Sequence, residues 1–183
     1  MKVEETDLKG CFVITPNIFK DKRGYFFESF NKKDFEIQTG IVTNFVQDNQ
    51  SKSCKGVLRG LHFQTGEFAQ AKLVSVVKGK VLDVCVDLRK ESPTFGKHVS
   101  IVLDDTEFKQ VFIPKGFAHG FVVLENDTIF SYKCDAFYNK ESESGILYND
   151  KMLNIDWQIS SNKLMISQKD KQLQTFESLF KTR

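Results

Sequence analysis

Two histidines set beside glycines are the first residues whose chemistry stands out. One lies in Arg59-Gly60-Leu61-His62-Phe63-Gln64, the other in Pro114-Lys115-Gly116-Phe117-Ala118-His119-Gly120. Histidine titrates near neutrality, so either could move a proton to or from a substrate. In strand alternation His62 shares a face with Gly60 and Gln64, while Arg59, Leu61 and Phe63 take the other. Gly60 lets a second segment or a ligand approach the backbone closely. A lone strand histidine is more commonly a structural residue satisfied by a neighbour. His119 divides evenly between a polar contact at a pocket mouth and a hydrogen bond that stabilises its turn. His98, between Lys97 and Val99, reads as surface.

A metal site would need more ligands than this. Small β-barrel metalloenzymes usually place two histidines one residue apart, with a carboxylate and a distant third histidine. Here Gln64 occupies the partner position, so no metal is expected. Arg23, Arg59 and Lys72 suit a diphosphate if they converge, because guanidinium forks match phosphate oxygens; taken singly, each reads as a solvated charge. Tyr132, in Phe130-Ser131-Tyr132-Lys133, reads by itself as an ordinary strand aromatic.

The elements that must position these groups are short strands. Residues 73–88 contain two β-branched runs hinged at Lys78-Gly79-Lys80, the pattern of a hairpin, with Leu82, Val84, Val86 and Leu88 on one face. Val99, Ile101 and Leu103 alternate in the next segment, and 110–113 forms a strand ended by Pro114. Segments 120–124 and 128–133 form a second expected hairpin around Glu125-Asn126-Asp127. Strands at this spacing make an all-β sandwich or barrel. Helix is confined to a turn or two over 31–40 and to the tail, where Leu173, Phe176 and Phe180 recur at helical spacing and pack on the sheet.

The 183 residues fit one domain, 1–183, without repeats or linkers. Basic and acidic side chains nearly balance, 26 against 24, which argues against a nucleic-acid or membrane partner and leaves any cationic site local. Eighteen phenylalanines against one tryptophan predict a core of flat rings. Cys11, Cys54, Cys85 and Cys134 are widely spaced and fit free thiols in a reducing compartment. With no secretory signal or long apolar run, a cytoplasmic location is expected.

Beyond single residues, the chain resembles the dTDP-4-dehydrorhamnose 3,5-epimerases, cupin-type enzymes of deoxysugar synthesis. The resemblance rests on Asp21-Lys22-Arg23-Gly24-Tyr25-Phe26-Phe27-Glu28-Ser29, Phe45-Val46-Gln47-Asp48-Asn49-Gln50-Ser51 and Val57-Leu58-Arg59-Gly60-Leu61-His62-Phe63-Gln64. It continues through Gln70-Ala71-Lys72-Leu73-Val74, Val86-Asp87-Leu88-Arg89 and Ser92-Pro93-Thr94-Phe95-Gly96. The 113–121 segment around His119, then Tyr132-Lys133 and Lys169-Asp170, complete it.

That resemblance implies a single-domain jelly-roll β-sandwich with short peripheral helices, mainly C-terminal. It also implies a homodimer, no metal or cofactor, and a dTDP-sugar substrate. By position His62 is the catalytic base, Asp170 its support, Tyr132 the acid on the other face and Lys72 the cation beside the keto oxygen. Arg23, Glu28, Gln47, Asn49, Arg59, His119, Glu143 and Lys169 match positions lining the nucleotide-sugar pocket.

The chemistry agrees with those roles. A C3 or C5 hydrogen is acidified by the C4 ketone, because the carbanion delocalises onto oxygen. Inversion needs the returning proton to arrive from the opposite face, hence two different groups. Phe137-Tyr138, where relatives often carry two tyrosines, and Tyr148, where tryptophan is common, bear on substrate preference. The other readings are an epimerase acting at one carbon of another deoxysugar, a ketoisomerase, and a non-catalytic sugar-binding β-domain. His62-Phe63-Gln64 weighs against the ketoisomerase. A binding domain has no need for His62, Tyr132 and Asp170 together.

Overall fold

A computed structural model describes residues 1–180. In chain order the elements are β1 (Lys2–Glu5), β2 (Phe12–Thr15), β3 (Phe19–Asp21), β4 (Gly24–Phe26), α1 (Lys32–Thr39), β5 (Gln47–Ser53), β6 (Val57–Gln64) and β7 (Lys72–Lys78). They continue with β8 (Lys80–Asp87), β9 (His98–Asp104), β10 (Gln110–Ile113), β11 (Phe117–Val123), β12 (Thr128–Cys134), β13 (Glu143–Gly145), β14 (Met165–Ile166) and α2 (Phe176–Phe180).

Two sheets face each other. The first has the order β1-β2-β10-β7-β12-β5; the second runs β13-β6-β11-β8-β9, with β14 parallel to β6. Between them lies a core fed by both: Val74, Val111 and Phe130 from the first sheet, Val81, Cys85 and Phe121 from the second. Phe121 and Phe130 stack across the gap with ring centroids 4.0 Å apart, so the abundance of phenylalanine is spent partly on joining the layers. The β3–β4 ribbon stands apart from both sheets.

Neither expected hairpin forms. β7 belongs to the first sheet and β8 to the second, and the same separation divides β12 from β11. Both connections are corners that carry the chain across the sandwich. The cause is burial on two sides: β8 gives Val81 and Cys85 to the inter-sheet core and Leu82, Val84 and Val86 to an outer cluster with Trp157 and Phe176. A strand covered on both faces takes central neighbours, here β9 and β11. Two apolar runs hinged at glycine look alike in sequence whether the hinge is a hairpin or a corner.

The outer faces are closed by non-sheet segments. α1 begins at Asn31, whose side chain accepts from the Asp34 N–H, and ends at Gly40 in the left-handed region. Its Phe35 is buried against Phe112, with centroids 5.1 Å apart, a burial that contributes about 2 kcal/mol. The C-terminal tail is not one continuous helix. A tight turn over Asp170–Gln172 precedes an extended stretch whose Gln174 bridges Ile146, and only then does α2 form. Phe176 and Phe180 do pack on the sheet's outer cluster, against Phe95. All four cysteines are free thiols; Cys11, Cys85 and Cys134 are buried and Cys54 is exposed. His98 is half-buried at the start of β9 rather than fully on the surface.

Candidate active site

Strand alternation fails on β6 at Gly60. His62 pairs with His119 while Arg59 pairs with Phe121, so the register shifts between them. Gly60 has φ +122, and a Cβ there would lie 2.5 Å from Gly120 Cα; no other residue fits that approach. The shift corrects the expectation that Arg59 and His62 face apart. Both line one cavity, whereas Leu61 packs beneath the C-terminal cover.

That cavity has a volume of about 600 Å³. Its walls come from opposite sheets. β6 and β11 supply Arg59, His62 and His119; β5, β7 and β12 supply Asn49, Lys72 and Tyr132; the tail adds Lys169 and Asp170. A smaller chamber of about 110 Å³ shares Asn49, His62, Lys72 and Tyr132 and adds Gln47, Gln64 and Glu143.

Two histidine–carboxylate pairs face this space. His62 Nε2 lies 2.7 Å from Asp170 Oδ1. Asp170 is held in its tight turn by its own N–H donating to Ser167 Oγ, and its other oxygen accepts from the Gly60 N–H. Burial pushes the Asp170 carboxyl up, but the bonds from His62 and Gly60 outweigh it and leave the group below the usual range. An ionised Asp170 fixes the proton on Nε2, which leaves the lone pair on Nδ1. His119 Nε2 makes the matching contact with Asp83 Oδ2 at 2.7 Å.

On the facing sheet, burial pushes the Lys72 ammonium below the ordinary lysine range and the Tyr132 phenol above the ordinary tyrosine range. The phenol therefore keeps its proton. Glu143 accepts from both Lys169 Nζ and the Tyr138 hydroxyl; burial raises its carboxyl, and those donors bring it below the usual range. Arg59 Nη2 donates to Ser53 Oγ at 3.2 Å. Gln47 Nε2 donates to Asn49 Oδ1.

All the sequence-derived site residues except two meet here. Arg23 sits at the turn of the β3–β4 ribbon with its side chain 84% exposed, paired with Asp21. Glu28 lines a separate small hollow and accepts from Asn31. Sequence reasoning missed Asp83, although a carboxylate among the valines of β8 was a visible signal. It also passed over Ser167, which carries no such mark. Among the described residues, no group of three or more His, Cys, Asp or Glu is placed to hold a metal.

An imidazole oriented by a carboxylate on one sheet, with a protonated phenol and a buried ammonium side by side on the facing sheet, suits proton transfer at carbon beside a carbonyl. Fold and site together define a cupin-type acid–base isomerase. Residues 5–178 match the family described as dTDP-4-dehydrorhamnose 3,5-epimerase. The Shigella flexneri enzyme of that name is 50% identical over 170 residues, covering 93% of each chain. The crystal structure of the Elizabethkingia anophelis enzyme has a TM-score of 0.94 at 53% identity, covering 97% of each chain. A Legionella pneumophila 3,5-epimerase, solved in complex with dTDP-4-keto-L-rhamnose, has a TM-score of 0.91 at 46% identity, covering 95% of this chain and 92% of that one. The chain belongs to the dTDP-4-dehydrorhamnose 3,5-epimerase family.

Proposed function

We propose that this chain inverts C3 and C5 of dTDP-4-dehydro-6-deoxy-D-glucose to give dTDP-4-dehydro-L-rhamnose. One observation carries the assignment of roles: His62 and Tyr132 project from facing sheets into one cavity. A hexose lying between the layers presents one face to each.

His62 Nδ1 takes the proton from C5 or C3. The electron pair left behind moves onto the C4 oxygen, where the Lys72 ammonium stabilises the enolate; a group in that role contributes on the order of 10²–10³ in rate. Tyr132 returns a proton from the opposite face, and the carbon emerges inverted. Arg59 and Lys169 supply cationic donors for the diphosphate, with Asn49, Gln47, His119 and Glu143 completing the pocket.

The active form is a homodimer built from single-domain chains 1–183, and it works in the cytoplasm. Arg23 and Glu28 lie outside the cavity of their own chain, and the same segment exposes Phe19, Tyr25 and Phe26. A second copy covers these rings and delivers both polar residues to the neighbouring site. A monomer seen by light scattering at micromolar concentration would remove this part of the reading.

The reaction is tested by incubating enzyme with the 4-keto sugar nucleotide in D₂O. Deuterium at both C3 and C5 is the expected result; incorporation at one carbon, or none, would refute the double epimerisation.

A further inference from the structure

Gln64 holds a hydrogen-bond donor that nothing among the described residues uses. It lies two residues beyond His62 on β6, paired with Glu143 of β13, and is only 8% exposed. Its Oε1 accepts from the Asn139 N–H at 2.8 Å. That bond decides which way the carboxamide is turned, because the backbone N–H requires oxygen, not nitrogen, at that place. Nε2 is then fixed, buried and without a partner among the described residues. The side chain lines the 110 Å³ chamber, whose common wall with the main cavity is Asn49, His62, Lys72 and Tyr132. A buried amide left unpaired is costly, and a site that retains one has a use for it.

We infer that Gln64 Nε2 donates to the C3 hydroxyl oxygen of the bound sugar and so determines how readily C3, as opposed to C5, is inverted. The inference rests on the epimerase reading above. C1 carries the diphosphate, and C4 lies across the ring from it. With the nucleotide in the larger cavity, the edge of the hexose that enters the chamber is C3–C4–C5. The C4 oxygen is served by Lys72, and C5 bears an apolar methyl. The C3 oxygen is the one acceptor on that edge left for Gln64. A chamber of this size has room for the edge, since a water molecule occupies about 30 Å³. Gln64 thus anchors the substituent on the carbon that His62 must deprotonate, while C5 has no such handle.

The test compares exchange at the two carbons in D₂O for wild type and Gln64→Met. In the variant C3 exchange falls on the order of tenfold or more relative to C5 exchange. Equal loss at both carbons, as expected if Gln64 only holds a water or braces Asn139, overturns the proposal, as does an unchanged ratio. A second variant, Gln64→Glu, keeps an oxygen for the Asn139 N–H but removes the donor, and shows the same selective loss at C3. A C3-to-C5 exchange ratio in that variant equal to the wild-type ratio also overturns the proposal. Wild-type enzyme that exchanges neither carbon of the true substrate sinks the epimerase reading itself.

Discussion

The Lys72 ammonium stands 5.9 Å from the centre of the Tyr132 ring. The two side chains project from adjacent strands of one sheet, in the β7–β12 ladder, where Tyr132 pairs with Val74 and Cys134 with Lys72. The ammonium and the phenol, to which the proposed reaction gives the enolate oxygen and the returning proton, are therefore set by the same ladder. His62, the proposed base, belongs to the other layer. Burial acts on the pair in opposite senses, lowering the lysine and raising the tyrosine.

The alkaline limb of activity follows from those opposite shifts. As pH rises, Lys72 loses its charge before an ordinary lysine would, and Tyr132 holds its proton longer than an ordinary tyrosine. kcat/KM should fall on the alkaline side as Lys72 deprotonates. Lys72→Arg should move that limb upward, and Lys72→Met should remove it while lowering the rate about 10²–10³-fold. A limb that stays in place in Lys72→Arg and shifts in a Tyr132 variant would refute the assignment.

Tyr132→Phe separates proton removal from inversion. His62 and Asp170 remain, so substrate should still exchange with solvent. Deuterium then returns from the face it left and the configuration is retained. Formation of inverted product should fall about 10²–10⁴-fold. NMR of the recovered sugar nucleotide reads both quantities. Loss of exchange and inversion to the same extent would mean that Tyr132 does not act as a separate acid.

Asp87 governs acid stability. This buried carboxylate at the end of β8 accepts from Arg89, Ser92 and Thr94 and fastens the loop that follows. Burial raises its carboxyl, but the donors more than reverse this and bring it to about 2. A folded value below the unfolded one of about 3.9 adds stability that is complete above the unfolded value. It is lost as pH falls toward 2. Urea unfolding should find Asp87→Asn less stable than wild type by roughly 2 kcal/mol at neutral pH, with the gap closing in acid. A gap independent of pH would show that Asp87 acts through packing alone.

Much of the sandwich was legible in the residues. Val99, Ile101 and Leu103 alternate as a strand must, and Pro114 ends β10 where expected. The two corners were not legible, because what separates a hairpin from a crossing is which side of β8 or β11 is covered. That cover comes from Trp157 and Phe176, far along the chain. His62 stood out by its own chemistry, Tyr132 and Asp170 were found through the resemblance, and their meeting depends on pairings across 70 or more residues that periodicity does not carry. Arg59 was misplaced for a local reason: Gly60 breaks the alternation that strand reasoning assumes. Asp83 announced itself as a charge among valines, but its partner His119 lies on another strand.

Because the imidazole hangs from one layer and the phenol from the other, the thickness of the sandwich sets the jaw width between the proposed base and acid. The stacked rings of Phe121 and Phe130 act as the shim between those jaws. A change of ring size at that shim would therefore alter the reach between the two proposed proton-transfer groups as well as the packing of the core.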